Sequence, residues 1–471
     1  MVVPAAVRGA TMLAAIALLV ACAAPPLAMV SDRSADPIRA AFVVLGEDGA
    51  AVARVITMAP ECPVADVDGA PLPMAVRALP ATIALRLTVS NPAQSKPSAF
   101  PVLTCERNLP SGANRASAGG HALPVPQRDP RRIVVIGDTG CRLQVSSVNQ
   151  ACNDAAAWPF AEVVAAAVAM RPDLVIHVGD YHYRENACPD NDPGCAGSPW
   201  GYGWDTWDAD FFTPARALLI AAPWIFVRGN HESCNRGGQG WWRFLDPRAL
   251  VPGRDCNDPA NDMTGDYSDP YAVPYAPDVQ FLVFDSSKVG VAPLAATDPM
   301  YKIYFEQMQQ AFALGRRAPQ NFFMNHHPVL GFAPNPSVRP TGLYPGNGSL
   351  QSVLAPINGE RMFPDSVQAE LSGHVHLFQV VSYATSQPTQ LISGNGGAWA
   401  DVPLPQLPSD ATPVPGARIG SIVSTNRPGF LTIERDPLVG WRIDARDQRG
   451  QLFTTCTLRD TKTRCVPETL Q

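Results

Sequence analysis

Patterns typical of buried strands alternate with helical segments through the middle of the chain, between about residues 131 and 400. Several of these apolar runs end in a polar or ionisable residue, and they cover residues 133–136, 174–178, 224–227, 279–284 and 322–324. In an α/β sheet, the loops that leave the carboxyl ends of parallel strands converge on one crevice. The order of elements therefore predicts an α/β domain over 131–400 whose functional side chains meet at one edge of a sheet.

The segment before this domain has a different pattern. Residues 33–110 contain short apolar stretches, such as 41–45 and 83–89, between Gly and Pro turns, which predicts a small N-terminal β domain. Residues 111–130 are rich in Ser, Gly, Ala and Pro and show no periodicity. We expect them to form a linker.

The segment after the domain begins with a Pro-rich stretch. Residues 401–426 are predicted to form a loop, since proline removes a backbone donor and disfavours strand pairing. The alternation of apolar and polar residues at 440–444 is typical of a strand with one buried face. Residues 427–471 are therefore predicted to form β hairpins packed at the edge of the domain.

The first thirty residues predict an export signal. Arg8 precedes an uncharged stretch over residues 9–30, whose apolar centre is 12–20. Pro25 and Pro26 interrupt this stretch before it reaches the ~20 residues that a membrane-spanning helix needs. A signal peptide is thus favoured over a membrane-spanning anchor helix.

The sequence Leu19-Val20-Ala21-Cys22 resembles the lipobox of bacterial lipoproteins, in which the cysteine is lipidated and becomes the mature N-terminus. Residues 1–22 are therefore predicted to be a lipoprotein-type signal peptide, with Cys22 as the only contact with a membrane. Cleavage after a nearby alanine, as in an ordinary secretory signal, is the alternative. Both interpretations predict export, either to the periplasm, to the outer membrane or cell surface as a lipoprotein, or into the medium.

Composition and charge narrow the class of protein. A chain of 471 residues with 46% hydrophobic and 17% charged residues has enough apolar material for packed cores, so it is globular. The formal net charge of -6 and the lack of a Lys/Arg cluster disfavour binding to a nucleic-acid polymer. A small anionic substrate is compatible with this charge, because bound metal cations would reverse the local field.

Export makes the cysteines informative, because disulfides persist in oxidising compartments. The ten cysteines other than Cys22 fall into neighbouring pairs along the chain. On proximity alone we predict five local disulfides, namely Cys62 with Cys105, Cys141 with Cys152, Cys188 with Cys195, Cys234 with Cys256, and Cys456 with Cys465.

Five short motifs rich in Gly, Asp, Asn and His follow predicted strands. They are Gly137-Asp138-Thr139-Gly140, Gly179-Asp180-Tyr181-His182-Tyr183, Gly229-Asn230-His231-Glu232, Asn325-His326-His327-Pro328 and Gly373-His374-Val375-His376. Each aspartate motif alone is more often a turn or a helix cap. Five of the chain's eight histidines fall in the last three motifs, however, and such a grouping indicates a shared metal site.

The residue types suit a pair of metal ions. Two divalent or trivalent cations about 3.5 to 4 Å apart need a bridging carboxylate, hard oxygen ligands and neutral imidazoles. Glycine before the ligands lets the chain turn sharply and leaves room for close approach. In His374-Val375-His376 an extended chain would place both rings on the same side, which allows one histidine per metal.

This set of motifs resembles the calcineurin-like metallophosphoesterases, and more narrowly their purple acid phosphatase branch. That branch carries D-x-G, G-D-x-x-Y, G-N-H-[ED], a V-x-x-H-like element and G-H-x-H in this order, and the matches here run from Asp138 to His376. Only the fourth motif departs, because Phe323 replaces the valine, which is a strand residue and not a ligand. The resemblance implies a four-layer α-β-β-α sandwich in addition to the small N-terminal β domain.

The resemblance also implies which side chains hold the metals. The first ion would be bound by Asp138, Asp180, Tyr183 and His376, and the second by Asp180, Asn230, His326 and His374, so that Asp180 bridges them. His327 is an alternative to His326, which we prefer because the family pattern places this ligand two residues before the proline. A tyrosinate favours Fe(III) at the first position, with Zn, Mn or Fe(II) at the second. If Tyr183 packs in the core instead, an ordinary pair of Mn, Zn or Fe(II) is expected.

The implied activity is hydrolysis of a small phosphate ester by metal-activated water, most simply of a phosphomonoester. Phosphodiesters or nucleotides at the same site are the alternative, and a catalytically silent envelope binding protein is a third interpretation, against which the intact ligand set argues. His231 is the expected catalytic residue, in contact with the phosphoryl oxygens or the leaving oxygen. His231 or His327 would protonate the leaving group, and Glu232 would orient a neighbouring group.

Residues outside the motifs carry weaker predictions. The irregular segment 184–212 follows the second motif, and its aromatic side chains are expected either to overhang the site or to pack internally. Arg228, Arg236 and Arg243 flank the third motif and are expected to be surface charges, with contact to phosphate as the alternative. Residues 394–397 are expected to form a simple turn, with approach of their backbone to the site as the alternative.

Overall fold

Successive residues of the central strands face opposite sides of one sheet. Ile133 and Val135 are buried in a core between two sheets, whereas Val134 and Ile136 are buried in a second core beneath helices. Since strand side chains alternate between faces, this division requires that both faces of the sheet are covered.

The computed structural model describes residues 1–2, 36–87, 91–144, 149–335, 337, 342–436 and 438–470. Apart from Met1 and Val2, the predicted signal peptide with Cys22 lies outside the described residues. Within them, no helix combines the length and the apolar character that a membrane crossing requires.

The strands of the N-terminal region are, in chain order, β1 (Ile38–Leu45), β2 (Ala51–Thr57), β3 (Val64–Val67), β4 (Ala70–Pro73), β5 (Ala75–Ala78), β6 (Ala81–Ile83), β7 (Ser98–Phe100), β8 (Leu103–Asn108), β9 (Ala116–Ala118) and β10 (His121–Leu123). The strands that follow are β11 (Arg132–Ile136), β12 (Leu174–His177), β13 (Trp224–Phe226), β14 (Tyr271–Ala276), β15 (Val279–Val283), β16 (Gln320–Met324), β17 (Phe332–Pro334), β18 (Leu343–Pro345), β19 (Val367–Ser372), β20 (Phe378–Tyr383), β21 (Thr389–Ser393), β22 (Ile419–Thr425), β23 (Gly429–Asp436), β24 (Gly440–Asp447), β25 (Leu452–Arg459) and β26 (Lys462–Val466). The α-helices are α1 (Phe160–Ala169), α2 (Trp204–Trp207), α3 (Thr213–Leu219), α4 (Gly238–Gly240), α5 (Asp262–Gly265), α6 (Pro299–Gly315) and α7 (Gly348–Asn358).

Two large sheets form the centre of the protein. Among the described residues, the first has eleven strands in the order β26-β25-β24-β23-β11-β12-β13-β1-β2-β8-β5, and the second has seven in the order β14-β15-β16-β19-β21-β20-β22. The strands β11, β12 and β13 run parallel, as do β15, β16, β19 and β21. Their carboxyl ends therefore lie at common edges, which is where the five motifs follow.

Helices cover the outer face of each sheet. Apolar residues of α1 and α3, among them Val163 and Leu218, are buried in one core with β11 and β12. Residues of α6 and α7, among them Met308 and Val353, are buried in another core with β15 and β16. Together with the core between the sheets, this confirms the predicted four-layer α-β-β-α sandwich.

The N-terminal β region continues the first sheet. Strand β1 pairs parallel with β13, with Val44 opposite Trp224, while β2, β8 and β5 extend the sheet outward. A four-stranded sheet, β10-β9-β3-β4, contributes to a shared core with β1, β2 and β8. Residues 111–130, expected to be a linker, contribute β9 and β10 to it, because strands of three residues are too short to show a periodic pattern.

Two other segments differ from the expected pattern. Of residues 83–87, the described part of the predicted stretch 83–89, only Ile83 belongs to a strand; Leu85 and Leu87 are exposed, and Arg86 between them forms an ion pair with Asp262. Part of the expected loop 401–426 forms β22, which pairs antiparallel with β20 at the edge of the second sheet. The predicted C-terminal hairpins are present as β23 to β26 at the edge of the first sheet.

All five predicted disulfides are confirmed. They join Cys62 to Cys105, Cys141 to Cys152, Cys188 to Cys195, Cys234 to Cys256, and Cys456 to Cys465. Such a set is typical of proteins that are exported to an oxidising compartment.

Candidate metal centre

The seven predicted ligands come from loops that follow five parallel strands. Asp138 follows β11, Asp180 and Tyr183 follow β12, Asn230 follows β13, His326 follows β16, and His374 and His376 follow β19. Because these strands end at facing edges of the two sheets, residues up to 238 positions apart in the sequence meet at the junction of the sheets.

The first group of donor atoms surrounds the hydroxyl of Tyr183. This oxygen lies 2.9 Å from Oδ1 of Asp138, 2.9 Å from Oδ2 of Asp180 and 2.8 Å from Nε2 of His376. Nε2 of His376 is in turn 3.3 Å from Oδ1 of Asp138. Four donors of the types that bind hard cations thus converge on one place.

The second group shares one oxygen with the first. Nε2 of His326 lies 3.1 Å from the same Oδ2 of Asp180 and 3.1 Å from Oδ1 of Asn230. Nδ1 of His374 lies 3.0 Å from that Asn230 oxygen. A single carboxylate oxygen therefore belongs to both groups.

These separations fit ligands of metal ions. Donors bound at about 2.1 Å and at right angles to one another lie about 3.0 Å apart. The observed distances between neighbouring donors range from 2.8 Å to 3.3 Å. Since the oxygens and imidazoles are those that Fe, Zn and Mn accept, the residues present fit two cations bridged by Asp180.

The backbone is in the left-handed region at three of the predicted ligands. The φ angles are 55° at Asp138, 59° at Asp180 and 69° at His374, which is uncommon for residues other than glycine. Residues 373–376 form a bend and not the expected extended strand. His374 and His376 consequently point to different donor groups because of the left-handed turn, and not because of strand alternation.

Glycines leave the space that this close packing needs. A Cβ atom on Gly229 would collide with the carboxylate and backbone of Asp180, and one on Gly373 would lie 2.5 Å from Oδ2 of Asp138. Residues 394–397, expected to be a simple turn, also border the site, because a Cβ on Gly394 would lie 3.0 Å from that oxygen. The backbone of this segment therefore approaches the site, where the N–H of Gly396 donates to the carbonyl of Gly137 at 3.0 Å and the N–H of the next residue but one, Ala398, donates to the carbonyl of Asp138 at 2.9 Å.

Burial and neighbouring charges set the protonation of the donors. Burial opposes ionisation of Asp180, but His326 and His231 outweigh it and hold the pKa of Asp180 well below its usual range. Burial and the carboxylates of Asp138 and Asp180 raise the pKa of Tyr183 well above its usual value, so without a cation the phenol is protonated. A cation between these oxygens would replace repulsion by attraction and favour the phenolate.

The pKa values of the two histidines in the second group shift in opposite directions. Burial lowers the pKa of His326, but the Asp180 carboxylate outweighs burial and raises it to about 9. Burial and the nearby His326 lower the pKa of His374 to about 3, which keeps its imidazole neutral. His327 lies beside this group without joining it, because its Nδ1 is 3.1 Å from the hydroxyl of Ser286 and its ring packs on His374.

Glu232 holds the backbone at two of the strand exits. Its carboxylate accepts hydrogen bonds from the N–H groups of Asp180 at 3.1 Å, Tyr181 at 2.9 Å and Gly229 at 3.0 Å. Burial, together with the charge of Asp180, raises the pKa of Glu232 to about 8. Glu232 therefore orients the bridging ligand through its backbone, in agreement with its predicted positioning role.

His231 lies over Tyr183 in a network that the sequence did not suggest. The two ring centroids are 3.9 Å apart, and Nε2 of His231 is 3.8 Å from Oδ2 of Asp180. Nδ1 of His231 is 3.3 Å from Oε1 of the buried Glu185, and Nη2 of Arg236 lies within 2.9 Å of both ring nitrogens. Glu185 and Arg236 form an ion pair with an Nε to Oε1 distance of 2.5 Å.

Arg228 and Arg243 near the third motif are buried and Arg236 is partly buried, contrary to the expectation of surface charges. Arg228 donates to the carbonyl of Glu232, and Arg243 donates to the carbonyl of Leu79. Their guanidinium groups are therefore occupied in structural contacts, whereas Arg236 contacts His231. A sequence alone gives no sign of this, because buried arginines lack a periodic pattern.

Asp210 anchors the loop that carries Tyr183. Its Oδ2 accepts the N–H groups of Tyr183 at 2.8 Å and Arg184 at 3.0 Å, and its Oδ1 accepts the N–H of Cys141 at 3.0 Å and Nε of Arg184 at 2.6 Å. Four aromatic residues of the surrounding segment, Trp204, Trp207, Phe211 and Phe212, are buried in the core beneath α1 and α3. Their role is packing.

The last predicted ligand is oriented by a loop after β21. The N–H of His376 donates to Oδ2 of Asp401 at 2.8 Å, and Nδ1 of His376 donates to the carbonyl of Trp399 at 2.6 Å. Similarly, Nδ1 of His326 donates to the carbonyl of Val178 at 2.8 Å. In the neutral imidazole, these bonds place the proton on Nδ1, so that Nε2 of both rings can bind a cation at the donor groups.

A four-layer α-β-β-α sandwich with two adjoining groups of potential metal ligands, placed where its strands end, is the arrangement of a metallophosphoesterase. The family model for calcineurin-like phosphoesterases matches residues 131–378, more than half of the chain, and the protein belongs to this family. A search among curated protein sequences found no match.

Solved structures share the fold at low identity. The chain is similar to a purple acid phosphatase, PPD1, from yellow lupin (Lupinus luteus) seeds, with 14% identity and a TM-score of 0.52 over 89% of this chain and 73% of the other. It is also similar to PhoD, with 12% identity and a TM-score of 0.50 over 92% of this chain and 93% of the other. These two structures show a shared fold, whereas the match to the family model confirms the predicted family and, with it, the enzyme class, a phosphoric ester hydrolase.

Proposed function

We propose that this protein is a binuclear phosphohydrolase of the purple acid phosphatase type that cleaves small phosphomonoesters. The observation that carries the proposal is the position of the Tyr183 hydroxyl, within 2.9 Å of Asp138, Asp180 and His376. A phenol in this place suits a hard trivalent cation, because such a charge stabilises the phenolate against its solution pKa of about 10.

In this proposal, Asp138, Tyr183 and His376 hold Fe(III), while Asn230, His326 and His374 hold Zn, Mn or Fe(II), with Asp180 common to both. When bound, the two cations would activate water and neutralise the charge of the phosphate. The protein's own part is to keep these donors close together, through the glycines and the backbone clamp of Glu232 described above.

His231 is proposed to contact the phosphoryl oxygens. Its ring is packed between Tyr183 and Arg236, and its side chain is 11% exposed, so it borders the solvent side of the first donor group. Glu185 accepts from Nδ1 and Arg236 lies beside both nitrogens, which fixes the ring plane. We infer that these two residues position His231 and that Arg236 adds positive charge where a phosphate would bind.

The site of action is proposed to lie outside the cytoplasm. The five disulfides support export, and Cys22 is proposed as a lipid anchor that tethers the enzyme in the periplasm or at the outer membrane or cell surface. The substrate is a small phosphate ester, and the net charge of -6 disfavours a nucleic-acid polymer as partner.

The test combines metal analysis with a visible spectrum of the purified protein. Wild type is expected to hold two metals and to show an Fe(III)-phenolate absorption band, and Tyr183→Phe is expected to lose the band. Tyr301→Phe on α6 is the matched control and is expected to keep the band. Two bound metals without a band under oxidising conditions would exclude Fe(III)-tyrosinate but leave the family assignment intact.

Activity is measured on matched mono- and diesters with the same protein. Monoester hydrolysis is expected to exceed diester hydrolysis and to be abolished in Asp180→Asn, because this residue supplies the shared oxygen. No hydrolysis by the iron- and zinc-loaded wild type would favour a silent binding protein. Retained activity in Asp180→Asn would refute the bridging role.

A further inference from the structure

An apolar pocket adjoins the second donor group. It has a volume of about 300 Å³, and His374, whose Nδ1 faces Asn230, is one of its lining residues. The remainder of the wall includes Pro328 and Val375, which directly follow ligand motifs, and residues of β17 and β18. We call this cavity the ester pocket and define it by Val291, Pro328, Ala333, Tyr344, Pro345 and Val375.

The ester pocket offers little to a polar group. No Asp, Glu, Lys or Arg is among the described residues that line it. Its two side-chain amides are engaged within the protein: Asn347 donates to the carbonyl of Gly290 at 2.8 Å and accepts from the N–H of Leu350 at 2.9 Å, and Nε2 of Gln351 donates to the carbonyl of Val329 at 2.8 Å. Apart from the Tyr344 hydroxyl and the His374 ring, the lining side chains offer few partners to replace the water that a charged or hydroxylated group would lose there.

The mouth of the pocket displays apolar side chains to solvent. Val291 is 64% exposed and Tyr344 is 43% exposed, although both lie next to a centre built from charged groups. Uncovered apolar surface beside a binding site is typical of surface that a ligand covers.

We propose that the ester pocket binds the organic group of the substrate and that this group is apolar, such as a phenyl ring or a short alkyl chain. The inference rests on the proposed function, since it requires the phosphate to bind at the donor groups beside His374. The volume lies at the lower end of the range for small-molecule sites, roughly 300 to 1,000 Å³, which suits one such group. Hydrolysis then consumes one water and yields inorganic phosphate and the apolar alcohol or phenol.

The test compares two esters of primary alcohols, n-hexyl phosphate and glycerol 3-phosphate, whose leaving groups have similar chemistry. For the metal-loaded wild type, kcat/KM is expected to be at least about tenfold higher for the hexyl ester, as for other groups that fill an apolar pocket. Ala333→Phe fills the pocket and is expected to remove this preference, so that the ratio of kcat/KM for the hexyl ester to kcat/KM for glycerol 3-phosphate falls to about one.

A second variant avoids any effect on folding. Val291→Asp places a charge at the exposed mouth and is expected to lower the ratio of kcat/KM for the hexyl ester to kcat/KM for glycerol 3-phosphate. Val251→Asp is the matched control, because Val251 is 55% exposed and lies outside the pocket. Equal kcat/KM for both esters in wild type, or an equal loss of both in Val291→Asp, would overturn the pocket assignment. If wild type hydrolyses neither ester, the proposed function fails first.

Discussion

The anchor of the Tyr183 loop gives the sharpest test of how this site is held together. Asp210 and Arg184 form a buried ion pair with an Oδ1 to Nε distance of 2.6 Å and side-chain exposures of 0% and 5%. The Asp210 carboxylate accepts four hydrogen bonds, two at each oxygen. Asp210→Asn keeps the shape but replaces one acceptor oxygen by a donor, so two of the four N–H groups lose their partner.

The expected cost follows from these contacts. Leaving a buried donor without an acceptor costs about 1 to 3 kcal/mol, and breaking a buried ion pair from one side costs about 3 to 5 kcal/mol. The two costs are not added, because both count the same hydrogen bonds of Asp210. We therefore expect Asp210→Asn to lower the free energy of unfolding by about 3 to 5 kcal/mol. The loop of Tyr183 is also expected to loosen, which reduces metal content.

The assay is equilibrium unfolding in urea followed by tryptophan fluorescence, with metal analysis of the same samples. Asp205→Asn, an exposed change in α2, is the matched control and should unfold like wild type. The double variant Arg184→Met with Asp210→Asn should be no less stable than Asp210→Asn alone, because it removes the uncompensated guanidinium. If Asp210→Asn unfolds at the midpoint of Asp205→Asn, the reasoning about this anchor is refuted.

Two further substitutions test the packing around the donors. Gly229→Ala would force a methyl group into Asp180 and is expected to reduce metal retention and activity at least about tenfold, whereas Gly290→Ala, whose added Cβ has its nearest neighbour at 4.0 Å, should behave as wild type; equal metal content in both would contradict this reasoning. Arg236→Met is expected to raise KM with both metals retained, since it removes positive charge and the donor beside His231, and an unchanged KM would show that Arg236 does not act on substrate.

The motifs and the local disulfides could be predicted from the sequence because their signals are short. In a strand that ends in Gly-Asp or Gly-Asn-His, the apolar run and the candidate ligand lie within about ten residues of sequence. Asp138, Asp180 and Asn230 could therefore be recognised as residues that follow strands. Cysteine pairs such as Cys188 and Cys195 are close along the chain. The alternation in residues 440–444 likewise predicted the edge hairpins.

The partners of these motifs could not be predicted, because they are far apart in the sequence or lack periodicity. Glu185 and Arg236 are separated by 51 residues, and the residue type alone does not distinguish a buried charged residue from an exposed one. The same holds for Asp210, which reaches back to Cys141 across 69 residues. The pairing of β1 with β13 joins residues 44 and 224, and no local pattern specifies that register.

By itself, the sequence indicated the strands that precede the motifs, the candidate ligands and the pairing of neighbouring cysteines, since each depends on residues within a short window. Only the tertiary structure decided that one oxygen of Asp180 faces both donor groups, that His374 turns through a left-handed backbone, and that an apolar pocket lies beside it. These features arise where two sheets meet, because hydrogen bonds and packing between distant segments fix them to within fractions of an ångström. Such contacts cannot be predicted from the periodicity of the sequence.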